Sequence, residues 1–567
     1  MHTKSVFSLF LFLLLFAACS LQTSDIEQGN AAQAFQEKLR ALPSGSQGIN
    51  NEYIVVFKDS SGGLYRGLAN SANSETTNES LSVLDSYQRA LPAILVRAAN
   101  ESSLYFITAD PSVKYVQQNF YFEYSEIPEQ PQGPNAPNDP DFFDQMQQPA
   151  VWNLARIDQR PWDSLAPDTA YVWPEGVSGG AVRAYVIDSG INPHSEFCRD
   201  YIAEDCLNRI DLDHAFPDSS QHDYVGHGTH VSGILGGLTY GVAKQITLVP
   251  INVDDLGRPT VALILAGIEH VLGLHEQLGG PAVANMSLGG PRTESVDTAV
   301  ESMIRAGISV AVAAGNDSST SACDRSPSGV RDALTVGASD INDAVTYFSS
   351  QGPCVDVFAP GDQVVSADIH NFTGSVAFSG TSMSAPHVAG AAALLLEGAL
   401  TIDQQAISPR TVAAHVKCRA TSGALSNLAP ETADRLLYMR HFGSSINNFV
   451  TEDLSSEDSS TPGPTLSFVS PVENQAVVNP ITINLGLQSC AFGSIKLEEL
   501  DVNTNAVKRT LVDSSTEQNQ WTFVFETGPV RLRAAFCDYF NRCTDPKILN
   551  FTALEAASTI FLPIVSR

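Results

Sequence analysis

The chain has 567 residues, room for two to four domains, and its 43% hydrophobic and 17% charged content is that of a globular protein. Its formal net charge of −30 argues against nucleic acid and other polyanions as partners, because like charges repel. An acidic surface favours solubility and attracts divalent cations.

Residues 1–19 read as an export signal: His2 and Lys4 open it, an apolar core runs from Val6 to Phe16, and Ala17-Ala18-Cys19 close it. The core is too short to cross a membrane, and no later apolar run reads as long enough. Ala17-Ala18-Cys19 also resembles the cleavage box of bacterial lipoproteins, so a lipid anchor on Cys19 and an ordinary signal both stay open. Residues 20–51, polar and rich in Ala, Gln and Ser, predict a flexible lead. Residues 52–124 predict a small α+β unit with strands at 52–57 and 112–116, ending in the aromatic stretch Phe120-Tyr121-Phe122-Glu123-Tyr124. Proline-rich residues 125–149 have the composition of a linker.

From 150 to 442 short apolar runs end in Gly, Asp or Asn and alternate with Ala/Leu-rich stretches of helical length. Runs such as Ala184-Tyr185-Val186-Ile187 and the segments 246–251, 308–312 and 334–336 suit strands buried on both faces of a parallel sheet. The fold class expected here is α/β, a parallel sheet flanked by helices. Residues 443–465, rich in Ser, Glu, Asp and Pro, form a second linker. Residues 466–552 carry short alternating strands that predict a small β-sandwich, and 553–567 form an apolar tail.

Three short runs carry chemistry. Val186-Ile187-Asp188-Ser189-Gly190 puts a carboxylate at the end of an apolar strand, where open parallel sheets gather reactive groups. Gly226-His227-Gly228-Thr229-His230 puts an imidazole between glycines ahead of a helical stretch, with His230 read as structural. Gly380-Thr381-Ser382-Met383-Ser384-Ala385-Pro386 puts a hydroxyl and its backbone N–H at a helix start, where orphan N–H groups and the dipole favour developing negative charge. A serine hydroxyl is a weak nucleophile until an imidazole takes its proton and a carboxylate holds that imidazole in the right tautomer. Asn316, after the strand around 308–314, offers a side-chain amide to an oxyanion.

In the order acid, base, nucleophile, these runs resemble the subtilisin-like serine peptidases, and within them the proteinase K and aqualysin branch. The likeness extends to Trp152-Asn153-Leu154-Ala155-Arg156-Ile157-Asp158-Gln159-Arg160, Ser287-Leu288-Gly289-Gly290 and Leu334-Thr335-Val336-Gly337-Ala338-Ser339, and covers about 150–442. It implies a subtilisin-like fold and a secreted serine endopeptidase with Asp188, His227, Ser382 and Asn316 as catalytic residues. Ser287, Leu288 and Gly289 would pair with substrate backbone, and Leu256, Gly257 and Arg258 would form the opposing wall. There Pro259 removes an N–H, while Arg258 adds a charge that would tolerate acidic residues upstream of the cut. Ala313, Ala314 and Gly315 would line the pocket for the residue before the scissile bond, leaving room for an apolar or aromatic group.

The resemblance further implies structural Ca²⁺ at Asp356 with the carbonyls of Arg331 and Ala333. It implies that 52–124 is an inhibitor-type propeptide, first cut near Tyr124 or Phe143. The expected partners are protein and peptide substrates and the chain's own propeptide. The enzyme is expected to be a monomer, with surface contacts left to the C-terminal module, which resembles bacterial Ig-like modules. Export permits disulfides, for which the spacing suggests Cys198 with Cys206, Cys323 with Cys354 and Cys537 with Cys543, while Cys418 and Cys490 are left over and Cys490 competes as a partner for Cys537 or Cys543.

Overall fold

The computed structural model describes residues 25–69, 81–124, most of 141–439 and a set of strands between 465 and 554. The export signal with Cys19, residues 125–140, the second linker, Cys206, Cys490, Cys543 and residues 555–567 lie outside the described residues.

The predicted lead is in part a structural element. Helix α1 (Asp25–Lys38) buries Phe35 in the core of the N-terminal unit. Its last residue, Lys38, donates from Nζ to the carbonyls of Thr108 and Asp110, each at 2.7 Å. Those carbonyls close a short helix, α3 (Tyr105–Ala109), where a cation is favourable. The strands β1 (Leu39–Arg40), β2 (Gly48–Phe57), β3 (Leu81–Tyr87), β4 (Ala93–Ala98) and β5 (Val113–Phe120) form one sheet in the order β1-β5-β2-β4-β3. Alternation in β2 sends Val55 and Phe57 toward α1, α3 and α2 (Gly63–Ala69), and Ile54 and Val56 toward the next domain.

That second face rests on two helices of the central domain, α6 (Val261–Leu278) and α7 (Glu294–Arg305). Glu269 of α6 accepts from three successive backbone N–H groups, those of Gln88, Arg89 and Ala90, at 2.7–3.0 Å. Asn119 accepts from the Ala262 N–H at 3.1 Å. The unit is therefore seated on the central domain by polar contacts as well as an apolar face.

The central domain starts earlier than predicted. β7 (Asp141–Phe143), β8 (Met146–Gln148) and β9 (Tyr171–Val172) pair as a small sheet, and the buried Gln147 accepts from Lys244 Nζ at 2.6 Å. After α4 (Trp152–Ile157) comes the main sheet of six parallel strands: β10 (Arg183–Asp188), β11 (Thr247–Asn252), β14 (Ala282–Met286), β16 (Ser309–Ala313), β18 (Leu334–Ser339) and β19 (Val357–Pro360). Their spatial order is β11-β10-β14-β16-β18-β19, so the winding reverses at β10. Within β10, Ala184 and Val186 face a core filled by α5 (His227–Gly236) and α8 (Thr381–Thr401), while Tyr185 and Ile187 face α6 and α7. Burial on both faces explains why these strands are continuous apolar runs.

By length and composition α6 and α8 could cross a membrane, which corrects the reading that no later run is long enough. Both are helices of this core, and α8 is buried over almost its whole length. Between the six strands lie the short pairs β12 (Asp254–Asp255) with β13 (Arg258–Pro259) and β15 (Leu288–Pro291) with β17 (Arg325–Ser326). β20 (Val364–Ala367) with β21 (Ser375–Phe378) and helix α9 (Pro409–Arg419) complete the domain. The C-terminal strands form two sheets, one of three strands and one of five, between Thr465 and Leu554.

Candidate active site

Asp188 ends β10 at the reversal of strand order, the position where α/β sheets open a crevice beyond their carboxyl ends. His227 is the first residue of α5, four residues earlier than the helical stretch anticipated from the sequence. Gly226 caps the helix with φ 91, and a Cβ on Gly228 would collide with the Gly190 carbonyl. Only a bare glycine lets the helix start sit on the Asp188-Ser189-Gly190 turn. His227 Nδ1 donates to Asp188 Oδ1 at 2.7 Å, and the same oxygen accepts from Ser189 N at 2.8 Å. Both side chains are fully buried. With Nδ1 committed to the carboxylate, Nε2 is the ring nitrogen available to take a proton.

Asp223 binds this junction together and was missed in the sequence. One of its oxygens accepts from Ser189 Oγ and Gly226 N, and the other from the N–H and hydroxyl of Thr229, all within 2.7–2.9 Å. Burial pushes its pKa up while these bonds pull it back. The signal was an Asp three residues before a helix cap, where a carboxylate satisfies orphan N–H groups. His230 is buried, hydrogen-bonded to the Val376 carbonyl at 3.0 Å and stacked on Phe378, and burial pushes its pKa down to about 3. It is a neutral packing residue.

Ser382 is the second residue of α8. Pro386 stands four residues on, past the first turn, and so removes the N–H that would have bonded the Ser382 carbonyl. Ser287 Oγ donates to that carbonyl instead, at 2.8 Å, and Ser382 Oγ donates to the Ser287 carbonyl at 2.8 Å. This reciprocal pair fixes the hydroxyl at the level of Ser287. Asn316 accepts from Thr381 N and Oγ1, each at 2.9 Å, while its Nδ2 makes no hydrogen bond among the described residues. The amide is thereby tied by its oxygen to the start of α8, with its buried donor end left unbonded.

The cleft beside these groups holds the chain's own strand β6 (Glu123–Tyr124). Tyr124 pairs with Leu288 and Glu123 with Gly289, antiparallel. On the other side Phe122 N donates to the Pro259 carbonyl at 2.8 Å and Tyr121 bridges Thr260. On this opposing side Leu256 is 96% exposed and, with Gly257, forms the tip of the β12–β13 hairpin. Pro259 lacks an N–H, but its carbonyl makes the pairing. Arg258 lies 3.6 Å from Glu123 and over the Tyr121 ring. The Tyr124 ring lies on His227, centroids 4.8 Å apart, and its hydroxyl donates to Asp254 at 3.0 Å. Tyr124 thus sits beside the imidazole. Phe122 is fully buried against Gly290, where a Cβ would strike the ring.

Ala313 and Ala314 are buried at the end of β16, and Gly315 N bonds Thr381 Oγ1 at 3.1 Å, which brings all three beside the start of α8. The expected calcium ligand set fits poorly. Asp356 accepts from Lys417 Nζ at 3.1 Å and from Thr335 N at 3.1 Å, so an ammonium already balances the carboxylate where a dication would be repelled. Among the described residues no group of three or more His, Cys, Asp or Glu gathers as a metal site. Cys323 and Cys354 form a disulfide, Cys198 is disulfide-bonded, and Cys418 in α9 remains a thiol. The expected partner of Cys198, and the Cys537–Cys543 pair, fall outside what is described.

A model of the Subtilase family matches residues 181–437. An extracellular serine proteinase of Thermus sp. (strain Rt41A) is 42% identical over 297 residues, 52% of this chain and 67% of that protein. The chain belongs to the subtilase family. Alkaline serine exoprotease A of Vibrio alginolyticus is 35% identical over 398 residues, 69% of this subtilase and 67% of its own length. A solved structure of a cold-adapted subtilisin-like serine proteinase is 38% identical, covers 52% of this chain and 99% of its own, and superposes with a TM-score of 0.44. The subtilase described here is a serine-type endopeptidase.

Proposed function

We propose that this subtilase is an exported endopeptidase made as a self-inhibited precursor, in which Asp188, His227 and Ser382 act as the catalytic triad. His227 takes the proton of Ser382, whose hydroxyl attacks the peptide carbonyl. Asn316 Nδ2 and the Ser382 N–H hold the oxyanion, each such donor being worth roughly 3–4 kcal/mol in the transition state. His227 then protonates the leaving amine, and water releases the acyl-enzyme. Asp188 keeps the imidazole oriented and offsets its charge throughout.

The observation that carries this reading is the buried 2.7 Å bond from His227 to Asp188 lying under a strand of the same chain that pairs with β15 as a substrate would. With that strand in place the Ser382 hydroxyl is turned to Ser287, a resting arrangement that a bound scissile carbonyl would replace. Residues 25–124 act as the inhibitor. The Thermus relative's printed name supports an extracellular location, and the C-terminal sheets are assigned a contact role with a surface or polymer.

A fluorophosphonate probe tests this. The processed protein should be labelled at Ser382, and Ser382→Ala should remain full-length and unlabelled. A processed, unlabelled wild-type protein would refute the assignment.

A further inference from the structure

We infer that Arg325 forms the floor of the pocket for the residue before the scissile bond, and that this pocket selects an acidic side chain. The inference rests on the proposed proteolytic site and names its substrate class.

The geometry begins with β15. One edge of this strand carries the peptide pairing with Glu123 and Tyr124, and the other carries β17, with Pro291 opposite Arg325 and Gly290 opposite Ser326. Arg325 therefore starts behind the wall on which substrate lies. Its side chain ends against the other wall: a Cβ placed on Gly315 would lie 3.1 Å from Arg325 Nε and 3.2 Å from its Cδ. The side chain crosses the gap between β15 and the 313–315 segment and closes it from below. The disulfide between Cys323 and Cys354 anchors this loop two residues away.

The guanidinium there has no bonded counterion among the described residues. Arg325 Nε is buried without a hydrogen-bond partner, and among the described residues the guanidinium makes neither an ion pair nor a side-chain hydrogen bond. Hydrogen bonds from Ser319 and Thr320, and more weakly the charge of Arg325, hold the Asp317 carboxyl below its ordinary value, but its oxygens bond Ser319 and Thr320 and make no ion pair with the guanidinium. A buried N–H of a cation without an acceptor is costly, and a carboxylate entering the pocket would supply one. The remaining lining, Ala313, Ala314 and Gly315, is small and offers no competing charge. The apolar preference anticipated from those three residues alone is revised by the fourth.

The register places the pocket. Ser382 is tied to Ser287, one residue before the Leu288–Tyr124 pair, so the peptide residue following the one over His227 presents its carbonyl to the hydroxyl. Its side chain is the one that meets Ala313, Gly315 and Arg325.

The test uses the processed full chain and fluorogenic peptides identical but for Glu, Gln or Phe at that position, with cut sites read by mass spectrometry. The wild type should favour Glu over Gln by about tenfold or more in kcat/KM, the scale of one charge-assisted hydrogen bond. Arg325→Gln should bring the ratio near one, and Arg325→Lys should retain a preference for Glu. Equal cleavage of the Glu and Gln peptides by the wild type, or a ratio that Arg325→Gln leaves unmoved, overturns the pocket assignment while leaving the proteolytic reading intact. Cleavage of no peptide together with no probe on Ser382 overturns both.

Discussion

Replacing Lys417 by methionine separates an internal ion pair from a metal as the force holding the Asp356 loop. Lys417 Nζ lies 3.1 Å from Asp356 Oδ1, with the two side chains 33% and 18% exposed. At an effective dielectric of ~20 that separation is worth about 5 kcal/mol of attraction, most of it offset by the water both groups give up. Removing one partner of a buried pair costs about 3–5 kcal/mol, and partial exposure places this one at the low end, about 3 kcal/mol. For a domain of this size that is roughly a 6 °C fall in apparent Tm. Burial already raises the Asp356 carboxyl above its ordinary value, and the ammonium pulls against it. Without the ammonium the raise grows and the folded state favours the protonated acid. The deficit of the variant is thus full at neutral pH and shrinks as pH falls through the raised value. Thermal unfolding in a Ser382→Ala background, with and without a chelator, reads both arms. A wild-type Tm that falls sharply on chelation, with no change in Lys417→Met, would refute the reasoning.

Asp188→Asn should leave the fold intact and lower kcat by about 10⁴, because an amide facing Nδ1 favours the wrong imidazole tautomer, measured by turnover of a peptide substrate. N-terminal sequencing of the processed chain should begin at Glu126, since Tyr124 pairs with Leu288 and the Ser382 hydroxyl is tied to Ser287, one position further along that antiparallel register; an N-terminus at residue 125 or 144 would contradict the register. Acid should destabilise the domain through its buried histidines: burial lowers His230 to about 3 and His387 to about 4 from 6.5, so their neutral forms contribute fully above 6.5 and that stability is lost as pH falls toward those values. His387→Gln should flatten part of this loss in pH-dependent unfolding. Gly290→Val should weaken seating of residues 121–124 by filling the space of the Phe122 ring, read as weaker inhibition by a separately added peptide of residues 113–124.

The α/β sheet was legible because strands buried on both faces must be apolar at every position: β10, β11 and β16 each fall within a residue of the runs that predicted them, and β18 starts where predicted and runs three residues further. Asp188, His227 and Ser382 were legible because each sits in a short run whose local geometry the residues themselves dictate: a strand end, a glycine-flanked helix start, a helix N-terminus. Helix α1 was not legible, since its composition is polar and its docking is read only from the buried Phe35 and the Lys38 bonds to Thr108 and Asp110.

What the sequence determined alone is therefore the inventory of reactive groups and the local backbone that carries each. The tertiary structure decided which groups meet. Ser287 and Ser382, 95 residues apart, exchange hydrogen bonds because Pro386 leaves a carbonyl unpaired where β14 happens to end. Lys417 takes the place anticipated for a metal, and Arg325 reaches the floor of a pocket whose other residues suggested an apolar lining. Such contacts depend on how strands order in the sheet and how loops pack at its end, and no local pattern of residues encodes a distance across that space.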